Sequence, residues 1–425
     1  MQGLLALVFL IPACTCAERL NILAIGQVMP GECLVPMWFD ADPLVSYVLI
    51  PTDIDVMGGV GVAGQHVMED AWRRYMRLYF PRNYEKLLEY DYLMLVMVEV
   101  DYLTLEQQYM IYNAMYKDGK GGFQDRSVMS MADYIAHPWA RSIISDAFPN
   151  DADKVVAQMK WSFDVMTLRF VVNTNPQVPP ILSPYKDLEG VEAVLSPGTT
   201  CLAIPKEGAV VTSYVFGDFS QSWGGSLPDA RVKGRGWMPH TMYWEYGNAT
   251  TWTHHDMLGG DAYWQLTRNP YAIDMVLAEM MFATGRELPK DVVLVHQLRG
   301  RFATYIATRG FIYSLLDFID KFGATGTPIT TKAQAISSGS EEGEKQYLAQ
   351  EYEASFASMD EAISRMEALR SEAMRLKDRA LFWVYVTEWL AVSGVSLLAG
   401  FAIWTLMVQR RLYREVAVTR LVQSE

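Results

Sequence analysis

A cluster of histidine and carboxylate side chains lies in the segment 240–255 and just after it. Three of the chain's six histidines are there, His240, His254 and His255, and Asp256 follows directly. Imidazole and carboxylate groups bind metals and transfer protons near neutral pH. Neighbouring residues on a strand point to opposite faces, so only one of His254 and His255 can face a given pocket. Two interpretations stay open: an acid–base site, or side chains that only pack and hydrogen-bond.

No metal-ligand spacing such as HxH or HExxH occurs in this segment. We therefore predict neither a bound metal nor a cofactor. If the cluster is catalytic, its acid–base residues are His254, His255 and Asp256.

The overlapping segment 223–244 is rich in tryptophan, tyrosine, arginine and glycine. Aromatic faces bordered by polar groups bind sugar rings and protein partners. The alternative, which we favour, is a long structured loop whose aromatic side chains cover a sheet. A ligand or partner surface here would consist of Trp223, Arg235, Trp237, His240 and Trp244.

Alternating strands and helices precede these candidates and must position them. Apolar runs predict buried strands at residues 20–25, 45–50 and 92–100. Helices are predicted between them at residues 69–78 and after them from Thr104, an N-cap residue, to Met115. Strands that alternate with helices at this spacing indicate a parallel sheet with helices on its faces.

The motifs along these elements resemble the class I glutamine amidotransferase-like fold. The strand YDYLMLVMVEV (90–100), the helix start LTLEQQ (103–108) and the turn DGKGGF (118–123) are similar to amidotransferase domains of prokaryotic membrane proteins and to the trehalose-utilisation family. The segment THHDM (253–257) and the helix 271–284, ended by Gly285, resemble the late part of those domains. The resemblance covers roughly residues 19–290 and implies an α/β domain with a flavodoxin-like parallel sheet.

The chain departs from this family at the nucleophile. True amidotransferases carry a glycine-flanked cysteine on a tight strand-to-helix turn after the glycine-rich segment. The corresponding residues 123–131 contain no cysteine, and their only hydroxyl groups are those of Ser127 and Ser130, which lack glycine neighbours. Without a thiolate the amide step has no nucleophile, so we expect a catalytically inactive version of the domain.

A transmembrane helix is predicted at residues 381–408, where Glu388 is the single charged side chain. The uncharged residues 389–408 alone reach across a hydrocarbon core of ~30 Å at ~1.5 Å per residue. Arg410 and Arg411 follow directly, so the positive-inside rule predicts that the tail 409–425 is cytoplasmic.

Residues 1–17 predict a signal peptide, because an apolar run is followed by small residues before the charged Glu18. Together the two segments predict a single-pass type I protein of the cell membrane with most of its mass outside. The extracytoplasmic α/β domain would occupy residues 18–322.

Between domain and membrane we predict a linker at residues 323–340 and a helical stalk at residues 341–380. Apolar side chains recur along the stalk at steps of three and four: Tyr352, Phe356, Met359, Ile363, Met366 and Leu369. This stripe could pair with a protein partner or a second copy, or fold against its own domain.

The net charge and the cysteine content limit which partners and covalent links we expect. A net charge of −13 excludes nucleic acid as an expected partner. Cys33 and Cys201 could form a disulfide outside the cell or remain two thiols. Asn248 begins a glycosylation sequon.

We therefore predict a membrane-anchored, extracytoplasmic binding or interaction subunit of a membrane assembly. The alternative is a membrane-tethered hydrolase, acting on carbohydrate or peptide through His254, His255 and Asp256. Convergent acid–base side chains in an open pocket would favour the enzyme, and a filled or apolar crevice would favour binding.

Overall fold

The computed structural model describes residues 19–26, 28, 39–40, 42–52, 69–96, 98, 100–125, 141–151, 169–192, 204–218, 235–254, 258, 269–322 and 326–422. It divides into two compact units: Met1–Ala303 with Glu342–Ala357, and Thr304–Glu341 with Ser358–Glu425. The predicted signal peptide and the cysteines Cys33 and Cys201 lie outside the described residues.

The first unit is built on one eight-stranded sheet. Its strands are β1 (Leu20–Gly26), β2 (Val45–Pro51), β3 (Tyr92–Val96), β4 (Gly121–Asp125), β5 (Arg169–Val172), β6 (Val210–Asp218), β7 (Arg235–Tyr246) and β8 (Ala249–His254). The spatial order is β2-β1-β3-β4-β8-β7-β6-β5. Neighbours from β2 to β8 are parallel, and those from β8 to β5 are antiparallel.

The sheet is therefore mixed, which corrects the expectation of a wholly parallel sheet. The reason is the short turn between β7 and β8, since strands joined by a tight hairpin must run antiparallel. Gly247 adopts a positive φ of 59° in this turn, and any side chain there would collide with the carbonyl of Tyr116. Residues 235–244 of the segment 223–244, for which a structured loop is the favoured prediction, lie in strand β7.

The helices are α1 (Glu69–Tyr79), α2 (Tyr84–Leu87), α3 (Leu105–Tyr116), α4 (Ala272–Ala283), α5 (Val292–Asp320), α6 (Thr327–Leu348) and α7 (Tyr352–Val422). Helix α3 begins as its sequence predicts. The Gln107 N–H donates to Thr104 Oγ1 at 3.2 Å, and the Thr104 N–H donates to Gln107 Oε1 at 2.9 Å. This reciprocal capping box satisfies two of the N–H groups that a helix start leaves without intrahelical partners.

The apolar core of the first unit covers one face of β1 and β3. Leu23, Ile25, Leu93 and Leu95 are at most 2% exposed and pack with buried side chains of α1 and α3. Each such side chain contributes about 1.5–3 kcal/mol on burial. This core fixes the sheet on which the candidate site residues lie.

The predicted linker 323–340 differs from the structure, because α6 begins at Thr327 and continues to Leu348. The predicted stalk is instead interrupted at Gln350, a non-glycine residue with φ 62°. The N–H of Glu351 donates to Gln346 O at 2.8 Å, and that of Gln350 to Tyr347 O at 3.0 Å. This is a Schellman ending, which usually uses glycine, so its sequence carried no visible stop signal.

The second unit contains the C-terminal part of α5, most of α6 and α7 from Ser358 on. The apolar stripe of α7 is buried within it: Met359 and Met366 are 0% exposed, and Ile363 and Leu369 are 5% and 4% exposed. Buried side chains of α5 and α6, including Ile312, Ile319, Ile329 and Ala333, complete the core. The stripe thus folds against helices of its own chain.

From Leu381 to Arg414, every side chain of α7 is exposed or partly exposed, and none is buried. Among the described residues, one helix is long and apolar enough to cross a membrane; it runs Tyr352–Arg414, with a mean hydropathy of 1.9 in its apolar window and none of that window buried. Trp389, Leu397 and Phe401 are 73%, 75% and 64% exposed. The core helix of a soluble protein would be mostly buried, so this segment is a candidate membrane anchor.

Candidate functional site

His254, predicted as an acid–base residue, is the last residue of β8. It therefore lies at the carboxyl end of a strand in the parallel part of the sheet, where α/β proteins build their sites. Its Nε2 is 2.5 Å from Oε2 of Glu279 on α4, and both side chains are fully buried. The ring of Phe123 meets the imidazole edge-on with centroids 4.7 Å apart.

Burial dominates the electrostatics of this pair. Loss of solvent raises the pKa of Glu279 well above its ordinary value, and nearby His240 opposes the shift without reversing it. Burial likewise raises the pKa of the Tyr92 phenol well above its ordinary value. An ion pair at this depth carries a desolvation cost of several kcal/mol per charge. We therefore assign a neutral pair in which the protonated Glu279 carboxyl donates to His254 Nε2.

His240 lies on β7 and is 0% exposed, so it does not belong to an exposed ligand or partner surface as the sequence suggested. Its ring meets Phe170 edge-on, with centroids 5.4 Å apart. Trp244 of the same strand is half-buried. Its ring centre lies 4.9 Å from that of Tyr246, with the rings tilted, and 5.1 Å from Lys206 Nζ.

The other predicted surface residues are only partly placed. Arg235 and Trp237 lie on β7, and Trp223 falls outside the described residues. His255 and Asp256 also fall outside them, as do Ser127 and Ser130. Asn248 of the sequon is exposed in the β7–β8 turn, and its Nδ2 donates to Lys117 O at 2.7 Å.

The described geometry does not present His254 to a substrate, because its Nε2 faces the interior carboxyl of Glu279. Within the part of the chain that the structure describes, no group of three or more histidine, cysteine, aspartate or glutamate side chains is placed to hold a metal ion. The pair of His254 and Glu279 joins β8 to α4 through a buried hydrogen bond.

A second buried polar network, which sequence reasoning missed, surrounds Arg299 of α5. Its Nε donates to Asp42 Oδ2 at 2.5 Å, and its Nη1 donates to Asp274 Oδ1 on α4. Tyr347 of α6 donates its hydroxyl to Asp42 at 2.9 Å, and His296 Nδ1 lies 2.8 Å from Asp274 Oδ2. Asp42 and Asp274 are 2% and 1% exposed.

Opposite charges hold this network in its ionised form. Burial opposes the charge on Arg299, but the neighbouring carboxyl groups of Asp42 and Asp274 contribute to a net rise in the pKa of the guanidinium. Burial raises the pKa of the Tyr347 phenol well above its ordinary value, so the hydroxyl stays protonated and remains a donor. A buried arginine between two carboxylates satisfies the planar, forked geometry of its donors.

A cavity of about 190 Å³ opens beside this network in the first unit. Arg299, Tyr347 and Tyr352 line it, together with Arg286, Glu287, Gln350 and the apolar Leu44, Met281 and Leu348. Gln350 is the residue with positive φ, and its Nε2 donates to Glu287 O at 3.2 Å. Burial, more than the nearby charges, raises the pKa of Tyr352 to about 12. The residues that line the cavity are spread along the chain from Leu44 to Tyr352, and no regular spacing in the sequence links them.

Comparisons with known proteins give little beyond this geometry. No protein-family profile and no curated protein matches the chain. Among solved structures, it is similar to the cytoplasmic protein STM3548 of Salmonella typhimurium, with a TM-score of 0.40 and 12% identity over 62% of this chain and 99% of that one. The cytoplasmic protein STM1381 of Salmonella typhimurium LT2 gives a TM-score of 0.38 and 11% identity over 63% and 98%. Likenesses this remote carry no argument about function.

Proposed function

We propose that this protein is a membrane-anchored binding or interaction subunit, with residues 381–408 crossing the bilayer. The observation that carries the proposal is that no part of the apolar window in α7 is buried. An exposed helical face this apolar is costly in water and stable in lipid. The last buried side chain of α7 is Ala380, which is 8% exposed, and Phe382 is already 59% exposed.

We further propose that the first unit is a flavodoxin-like, amidotransferase-like domain. Its five parallel strands follow the order β2-β1-β3-β4-β8, which corresponds to the order 2-1-3-4-5 of flavodoxin-like sheets. The antiparallel strands β5, β6 and β7 are an addition beyond β8.

A binding role is favoured over hydrolysis by the state of His254. An acid–base catalyst needs a hydrogen-bonding path to its substrate, and the described Nε2 of His254 is occupied by Glu279. The missing cysteine in residues 123–131 removes the family's nucleophile.

The orientation in the membrane follows from charge. Arg410, Arg411 and Arg414 come directly after the apolar segment, which favours a cytoplasmic tail and an extracytoplasmic α/β unit. The bilayer proposed here is the cell membrane.

The experiment is purification of the intact protein in mild detergent, with mass spectrometry of the co-purifying chains and elemental analysis. A stoichiometric membrane protein partner without metal supports the interaction role. A protein that purifies alone and holds a metal lost on His255→Ala would overturn it in favour of the tethered hydrolase. Asn248→Gln, an exposed change away from the histidine cluster, is the matched control.

A further inference from the structure

The C-terminal end of α5 exposes an aromatic pair at one end of the helical bundle in the second unit. Phe318 and Phe322 are each 40% exposed, and their rings lie 4.8 Å apart. They are four residues apart on or directly after α5, so they share one face of the chain. Two neighbouring phenylalanines left in water at a helix end need an explanation.

Contacts within the bundle fix the direction of each helix. Tyr305 of α5 reaches Ser337 of α6 at 3.5 Å, and Leu316 packs against Gly326 directly before α6. Because residue numbers rise along α5 while those of the contacted residues at α6 fall, the two helices are antiparallel.

Contacts between α6 and α7 fix the relative direction of these two helices in the same way. Lys332 Nζ pairs with Glu372 at 2.8 Å, and a side chain at Gly339 would lie against Ala362. These helices are also antiparallel, so α5 and α7 run in the same direction.

The level of the aromatic pair along α7 follows from one more contact. The guanidinium of Arg370 lies 5.0 Å from the ring centre of Phe311. Phe322 comes eleven residues after Phe311, and Leu381 comes eleven residues after Arg370. At ~1.5 Å per residue, both lie about 16 Å further along the shared direction. Phe322 is thus level with the first residue of the apolar segment.

Side chains at this level on α7 are also aromatic and exposed: Phe382, Trp383 and Tyr385 are 59%, 59% and 66% exposed. Aromatic rings concentrate where hydrocarbon meets headgroups. The charges near the turn already have partners, since Asp317 pairs with Lys321 at 2.9 Å and Asp320 Oδ1 accepts the Gly326 N–H at 3.4 Å. A membrane surface can therefore meet this end of the bundle without leaving those two carboxylates unpaired.

We propose that the C-terminal end of α5, through Phe318 and Phe322, lies in the interfacial layer of the same bilayer leaflet that α7 enters at Leu381. The bundle then has two membrane contacts, the spanning helix and this aromatic pair. The inference rests on the proposed membrane anchoring, and the occupant of the aromatic surface is lipid.

The test uses the full chain in nanodiscs of phosphatidylcholine and phosphatidylglycerol. A nitroxide is attached to Phe322→Cys, Ser338→Cys or Leu397→Cys after the four native cysteines have been replaced by serine. Collision with oxygen reports lipid, and collision with a water-soluble nickel chelate reports water. Exposed Ser338 on α6 is the aqueous control, and Leu397, 75% exposed in the apolar segment, reports the anchor.

We expect labels at positions 322 and 397 to favour oxygen and the label at 338 to favour the nickel chelate. A label at 322 that behaves like 338, while 397 stays in lipid, overturns the proposed contact and leaves the anchor intact. A label at 397 that favours nickel overturns both. Low collision with both reagents at 322 identifies a protein partner or second copy instead of lipid and also overturns the proposal.

A second measurement keeps the native cysteines. Photoreactive benzoylphenylalanine at position 322 should form adducts with lipid in the nanodisc, and the same group at position 338 should not. Equal lipid adducts at both positions, or none at 322, contradict the proposal.

Discussion

At the scale of single residues, the stability that the buried pair of His254 and Glu279 contributes depends on protonation. Since the folded state raises the pKa of Glu279, its contribution to stability is fully present below the unfolded value of ~4.3 and is lost as pH rises toward the folded value. The pair therefore stabilises the fold more in acid than in base.

Glu279→Gln should remove this dependence. The amide donates to His254 as the protonated carboxyl does, but it does not titrate. We therefore expect the thermal midpoint of this variant to fall less between about pH 5 and about pH 9 than that of the natural protein. Circular dichroism of the detergent-solubilised chain measures it. Glu279→Ala, which leaves a cavity and removes the His254 contact, should cost about 2–4 kcal/mol. If the thermal midpoint of Glu279→Gln depends on pH as that of the natural protein does, the assignment of a neutral pair is wrong.

Arg299→Met should destabilise the first unit by about 3–5 kcal/mol, because it leaves the carboxylates of Asp42 and Asp274 buried without their cation. Arg299→Lys should recover only part of this, since one ammonium cannot reproduce the fork. Chemical unfolding in detergent is the measurement. The control is Arg169→Met, whose exposed partner Glu192 lies 3.2 Å away, with an expected change within about 0.5 kcal/mol. Equal losses at both positions would contradict the network's role.

Sequence reasoning reached one member of the pair of His254 and Glu279 and neither member of the pair of Arg299 and Asp42. It selected His254 from its neighbours in the sequence, but Glu279 comes 25 residues later on another element. Arg299 and Asp42 are 257 residues apart. Such partners are set by the tertiary fold, and a single sequence contains no local signal for them.

At the scale of elements, helix ends show where local chemistry decides the structure. Helix α4 ends through Gly285, whose φ of 68° permits hydrogen bonds from Arg286 N–H to Met281 O at 2.8 Å and from Gly285 N–H to Phe282 O at 3.1 Å. Both this end and the Thr104 cap of α3 were predictable, because each uses the residue that its backbone geometry prefers.

Gly285→Ala should lower stability by about 1 kcal/mol, because alanine is strained at positive φ although no atom lies within 4 Å of the added carbon. Gly310→Ala is the matched control in the interior of α5, also with nothing within 4 Å. It should raise stability by up to about 1 kcal/mol through better helix propensity. Thermal unfolding of the two variants should shift in opposite directions, and shifts of the same sign would refute this reading.

The elements that sequence reasoning placed wrongly follow from interactions beyond a few residues. Gln350 ends α6 without glycine, and the residues around it are compatible with helix. The antiparallel strands β5–β7 extend the sheet beyond β8, and apolar runs alone do not distinguish antiparallel from parallel pairing.

At the scale of the whole molecule, membrane anchoring is the property that the sequence predicts most directly, because length and apolarity are local. Leu397→Arg places a charge in the middle of the apolar segment and should cost about 3 kcal/mol of insertion free energy. Membrane fractionation with an alkaline carbonate wash should show a larger soluble or aggregated fraction. The control Leu412→Arg lies beyond Arg410 and Arg411 and should change nothing. Equal behaviour of the two variants would count against a spanning helix.

The unbroken course of α7 has a mechanical consequence. Residues 352–393 contain neither glycine nor proline, and the helix passes from buried Ala380 into the apolar segment without interruption. The helix therefore has no break between the bundle and the apolar segment, and a rotation of this candidate membrane segment about the helix axis would be transmitted to the bundle. One residue inserted after Ala380 would offset the two portions by about 100°, while seven would nearly restore their alignment.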